Sequence, residues 1–147
     1  MAMAKRYAFI DHTADVEYVA YGSTINAVFK NALLGLFDTI ADIKKLSRAK
    51  SKVTILKIEE RARVPDDLLW FVLQDALSVT DAEGVYAYSV KKIWIGLEMG
   101  EYSAMVTIAA KKKDPKFSKL DVKGVTRFDM KVTQKDRKYL AAAVLDI

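Results

Sequence analysis

Cysteine is absent from the 147 residues. Its absence excludes disulfide staples, zinc–cysteine sites, iron–sulfur clusters and thiol catalysis, and it fits a reducing intracellular compartment. With two prolines and six glycines, the chain has no Pro/Gly-rich linker to divide it, and neither an internal repeat nor a low-complexity tract is present. Histidine occurs once, at His12, so paired-histidine metal sites and two-histidine acid–base schemes cannot be assembled within one chain. No glycine-rich nucleotide loop follows a strand, and no Gly-x-Ser-x-Gly elbow occurs. Long apolar runs are missing too, so no segment has membrane-spanning length. The basic start at Lys5 and Arg6 passes at once into Tyr7-Ala8-Phe9-Ile10-Asp11, too short and too soon charged for a signal peptide. The expectation is a cytoplasmic protein without a membrane contact.

What is present is the balance of a globular protein: 52% hydrophobic and 29% charged residues. The length predicts a single domain over residues 1–147, large enough to bury a core without staples. Net charge is +5, which admits an anionic partner such as RNA, although lysines and arginines spread over a surface give the same sum.

Helical spacing is clearest over residues 23–41, where Ile25, Val28, Phe29, Ala32, Leu33, Leu36, Phe37 and Ile40 recur at three- and four-residue steps behind the capping candidates Ser23 and Thr24. A second helix is predicted to open at Pro65, whose fixed φ and missing N–H suit a first turn. Asp66 and Asp67 would complement the positive end of its dipole. Leu68, Leu69, Phe71, Val72, Leu73, Ala76 and Leu77 make this helix apolar on more sides, so it is expected to be the more deeply buried, ending before Gly84.

The rest reads as strands. Residues 16–21 alternate up to Gly22, and 52–60, 85–97 and 101–111 are rich in Val, Ile, Tyr and Trp. Tyr102, Ala104, Val106, Ile108 and Ala110 fall on one strand face, with Ser103, Thr107 and Lys111 on the other. Glu98-Met99-Gly100 reads as a hairpin connection, and 122–132 with 138–146 as a hairpin around Gln134-Lys135-Asp136. Trp70 and Trp94 read as core residues, Tyr86 and Tyr88 as packing on one strand face. The predicted class is α+β: a two-layer sandwich with a largely antiparallel sheet covered by two helices.

Two segments invite a chemical reading. Asp11-His12-Thr13-Ala14-Asp15 places polar residues between two apolar strand runs. It is either a loop whose aspartates cap backbone N–H groups, or a site in which Asp15 holds a hard cation while His12 and Thr13 orient it. At the other end, Leu140-Ala141-Ala142-Ala143-Val144-Leu145 runs straight into Asp146 and Ile147, setting a side-chain carboxylate beside the carboxylate of the last residue. Asp146 either solubilises a strand end or joins such a site. Carboxylates held together repel one another, and a divalent ion relieves the repulsion. All-oxygen ligands favour calcium, magnesium or manganese over zinc or copper.

Lys111, Lys112, Lys113, Lys116, Lys119 and Lys123, with Phe117 among them, admit two readings. They are a solvated loop whose lysines guard strand edges, or an RNA contact that pairs phosphates and stacks a base.

In order along nearly the whole chain, His12-Thr13-Ala14-Asp15-Val16, Tyr21-Gly22-Ser23-Thr24, Leu36-Phe37-Asp38, Asp67-Leu68-Leu69, Val122-Lys123-Gly124-Val125-Thr126 and the terminal Asp146-Ile147 resemble the archease family. The resemblance implies a sheet covered by two helices. It implies that Asp15, Asp146 and Ile147 are ligands to a divalent ion, calcium foremost, with magnesium or manganese as alternatives. It further implies a non-enzymatic chaperone or cofactor that activates the GTP-dependent tRNA-splicing RNA ligase, promoting its guanylylation and repeated turnover. Glu17 stands where that family usually has Gly, Thr126-Arg127-Phe128 where it often has Thr-Tyr-His, and Lys111-Lys112-Lys113 where Gly-Glu is common. Two rival readings stand beside this one: an RNA-binding module using the lysine loop, and an independent hydrolase using ion-bound water.

Overall fold

The computed structural model describes residues 5–10 and 15–147. The segment spaced for a helix forms α1, Ile25–Ile40, and the Thr24 hydroxyl caps it by accepting a hydrogen bond from the Ala27 N–H at 3.0 Å. A short α2 follows at Ile43–Arg48, capped by the Asp42 carboxylate. The third helix, α3, is Pro65–Glu83. It has proline in its first turn and stops at Gly84, whose φ of 66° is the left-handed conformation that glycine adopts without a Cβ penalty.

The burial expectation for the helices is reversed. Nine of the 16 residues of α1 are buried, against seven of the 19 of α3. Both helices meet strands of both sheets, but α3 keeps one flank in solvent. Its Trp70 and Phe71 are half-buried.

The described residues form eight strands in two antiparallel sheets rather than the single sheet expected. The first contains β1 (Tyr7–Ile10), β2 (Asp15–Gly22), β8 (Lys138–Asp146) and the two-residue β6 (Gly124–Val125) in that order, with β7 (Lys131–Lys135) also on β8. The second has the order β3 (Thr54–Ala62), β5 (Glu101–Lys112), β4 (Val85–Glu98). One continuous core of Val, Leu, Ile, Phe and Ala side chains joins both sheets to α1 and α3. The α+β class and the antiparallel pairing are as predicted.

Both hairpins are present. The turn at Met99 and Gly100 has φ of 53° and 76°, the two positive values that match the twist of paired strands. The second turn falls at Asp136 and Arg137, φ 51° and 63°, slightly beyond the expected Gln134-Lys135-Asp136.

Trp94 is 48% exposed and not a core residue. Ile93 pairs with Val106 and Ile95 with Ala104 on the core side, so alternation sends Trp94 and its partner Met105 outward. The indole then lies across Gly96, where an added Cβ would come within 2.3 Å of the ring.

The lysine segment is also more ordered than a solvated loop. Lys111 is 3% exposed. Pro115–Phe117 is a 3-10 turn, and Phe117 packs with Ala41 and Leu46 in a small second core.

Candidate functional site

β2 begins at Asp15 and β8 ends at Asp146, and the antiparallel register makes these two residues direct partners. The same ladder pairs Val16 with Leu145, Tyr18 with Ala143 and Ala20 with Ala141. Tyr18, Ala20, Ala141, Ala143 and Leu145 are buried, and Val16 packs on the core beside them. Alternation therefore turns Asp15 and Asp146 to the opposite face, where paired side chains start about 4.5–5.5 Å apart at Cβ. The strand end is fixed from the other side as well. Gly124 pairs with Asp146, and the Lys123 N–H donates to the Asp146 carbonyl at 2.7 Å.

Among the described residues neither Asp15 nor Asp146 forms an ion pair with a lysine or arginine. Two carboxylates at one register position are hard oxygen donors of the type a calcium-like ion takes. Ile147, 38% exposed, directly follows Asp146. Asp11, His12, Thr13 and Ala14 lie outside the described residues. Glu17 shares the outward face of β2 with Asp15 but pairs with Val144. Among the described residues no three side chains of the His, Cys, Asp or Glu type come together as a metal cluster, so Glu17 does not complete one with the aspartate pair.

Arg127 has a mechanical role that its sequence position did not reveal. Its guanidinium carbon lies 4.2 Å from the centre of the Trp70 ring, and a guanidinium nitrogen is 3.9 Å from the Asp67 carboxylate. Trp70 Nε1 donates to the Val125 carbonyl at 2.7 Å, and the Val125 N–H donates to Gln74 Oε1 at 3.0 Å. These contacts clamp the segment carrying β6 to α3, and β6 in turn flanks Asp146. Phe128 is 73% exposed.

The lysines largely have internal work. Lys111 Nζ donates to the carbonyls of Leu46 at 2.6 Å and Ala49 at 2.7 Å, closing the end of α2, and lies over the Tyr88 ring. Lys113 pairs with Asp81, Lys116 with Asp114, and Lys119 with Asp38. Lys112 and Lys123 project outward.

Fold and site together define a small α+β protein of two antiparallel sheets with a pair of carboxylates at one sheet end. No described helix is long and apolar enough to cross a membrane. The model of the Archease protein family (MTH1598/TM1083) matches residues 7–147, and the chain belongs to the archease family. It is 30% identical to protein archease of Methanosarcina barkeri over 148 residues, covering 99% of each chain. It is 31% identical to that of Pyrococcus furiosus over 146 residues, covering 97% of this chain and 99% of the relative. The solution structure of Methanobacterium thermoautotrophicum protein 1598 superposes with a TM-score of 0.81 at 26% identity, over 98% of this chain and 100% of that one. The crystal structure of a Thermotoga maritima protein, described as an archease and possible chaperone, has the same fold, with a TM-score of 0.62 at 17% identity over 100% and 99% of the two chains.

Proposed function

We propose that this protein is a metal-binding accessory protein that activates a GTP-dependent tRNA-splicing RNA ligase, promoting its guanylylation and repeated turnover. In this reading the ligase holds the catalytic residues. Asp15, Asp146 and Ile147 hold one hard divalent ion, calcium foremost, with magnesium or manganese as substitutes. The observation that carries the reading is the register: residues 131 positions apart in sequence are direct partners across β2 and β8, with no cation of the protein's own between them among the described residues. Carboxylates brought together repel one another, and ion binding relieves the repulsion.

The test is stimulation of ligase guanylylation by Asp15→Ala and Asp146→Ala proteins whose folding is verified. Both are expected to lose most of the calcium-dependent stimulation, and wild-type stimulation by both would overturn the reading. The alternative, an RNA-binding module acting through the lysine segment, gains little from the geometry, because Lys111, Lys113, Lys116 and Lys119 already have partners within the chain.

A further inference from the structure

At the far end of β2 from Asp15, Gly22 brings the strand against the first turn of α1. A Cβ on Gly22 would lie 2.4 Å from the Val28 nitrogen, so only glycine lets the two backbones meet there. Beside this junction lies an open groove of about 600 Å³, large enough for a small molecule. The eight residues of β2 put it roughly 23 Å from Asp15 at about 3.3 Å per residue, so it is separate from the carboxylate pair.

Three cations line it: Lys5 and Arg6 ahead of β1, and Lys138 at the start of β8. Among the described residues no aspartate or glutamate lines it, and none of the three cations belongs to an ion pair. The adjoining end of α1 has no acidic residue in its first turn, so nothing there offsets the positive end of the helix dipole. The walls are of another kind. Tyr21 and Tyr139 supply flat apolar surface. Asn31 is held by donating from Nδ2 to the Tyr21 carbonyl at 2.6 Å, which leaves its amide oxygen as an acceptor. A bare anion would use the cations and leave the aromatic walls idle, and the volume exceeds what it needs.

We propose that this groove binds a nucleoside phosphate, with the phosphate on Lys5, Arg6 and Lys138 and the base against Tyr21 and Tyr139. The same chemistry is presented by a free mononucleotide and by the phosphorylated end of an RNA strand. Charge-assisted hydrogen bonds supply most of the affinity, and aromatic stacking accepts any base.

The experiment is an NMR titration of the full chain with AMP, adenosine and inorganic phosphate, beside a trinucleotide RNA with and without a 5′-phosphate. AMP is expected to shift the amides of Gly22, Ser23, Asn31 and Tyr139, and to bind at least tenfold tighter than adenosine or phosphate. Arg6→Ala and Lys138→Ala, both at exposed positions, are each expected to weaken AMP roughly tenfold without moving the unfolding midpoint. Tighter binding of the phosphorylated trinucleotide than of AMP identifies an RNA end as the occupant, and the reverse order identifies a free nucleotide. The proposal is overturned if AMP leaves these amides unmoved, binds no better than adenosine or phosphate, or binds both variants as it binds the wild type.

Discussion

Lys111 spends its charge on the carbonyls that end α2, and its ammonium is buried at that helix end. Replacing it with methionine keeps the aliphatic stem but leaves those carbonyls without their donor. The expected loss is about 1–3 kcal/mol, read as a lower denaturant midpoint, with faster amide exchange confined to residues 43–49. Tyr7 carries a pH dependence. Burial first, then its hydrogen bond to the Asp38 carboxylate and that group's charge, push its hydroxyl up to about 12. Since the folded value lies above the unfolded one near 10, the associated stability is complete below pH 10 and is lost as pH rises towards 12. Tyr7→Phe is expected to flatten that alkaline decline in a pH series of thermal midpoints. Glu60 also titrates upward in the fold, from burial and then from the adjacent Asp75 carboxylate. Its contribution is therefore favourable in acid and lost as the group ionises. Glu60→Gln is expected to raise the midpoint at pH 7 and to lose that advantage in acid, where Glu60 is protonated in both states. None of this was legible from the residues alone. Lys111 sits within a run of lysines, and its partners lie more than sixty positions away in sequence.

At the scale of elements, local rules worked where the signal was local. Thr24, Pro65 and Gly84 marked helix ends because capping chemistry depends on the residue at the cap, not on tertiary context. α2 escaped notice because six residues cannot display a helical period, and only Leu46 within it is buried. The β7–β8 turn lies beyond its expected position because its two positive-φ residues, Asp136 and Arg137, are not the Asn-Gly pair that normally announces such a turn. That mismatch has a measurable consequence. A side chain at positive φ costs roughly 1 kcal/mol or more, so Arg137→Gly is expected to raise stability by up to about 1 kcal/mol in chemical denaturation. Gly84→Ala, at φ 66°, is expected to lower it by a similar amount. Trp94 departs from its expected place in the core for the opposite reason. Its size argued for burial, but the flanking Ile93 and Ile95 already fill the core side, and the strand period decided its direction.

Over the whole molecule, the candidate site depends on something no local pattern encodes, the register of β2 on β8. The family resemblance already joins Asp15 and Asp146 as ligands of one ion; what it does not give is their direct pairing, which comes from the sheet order that sets β2 beside β8. β8 is the strand through which the five-stranded sheet is held together, paired by β2 on one side and by β6 and β7 on the other. An ion held at Asp15, Asp146 and Ile147 would tie β2 to the last residues of β8, and through the Lys123 N–H and Gly124 to the β6 segment that Trp70 and Arg127 clamp on α3. A ligand that binds only the folded state stabilises it by about 2.7 kcal/mol at a hundred times its dissociation constant. Opening of one strand end is cheaper than global unfolding, so that gain should appear first as local protection. Saturating calcium is therefore expected to slow hydrogen exchange at the Lys123 and Thr126 amides, which donate to the Asp146 and Val144 carbonyls, while leaving the turn at Asp136 and Arg137 unchanged. Asp146→Asn should abolish the protection, and uniform slowing across all of β8, or none at all, would place the ion elsewhere.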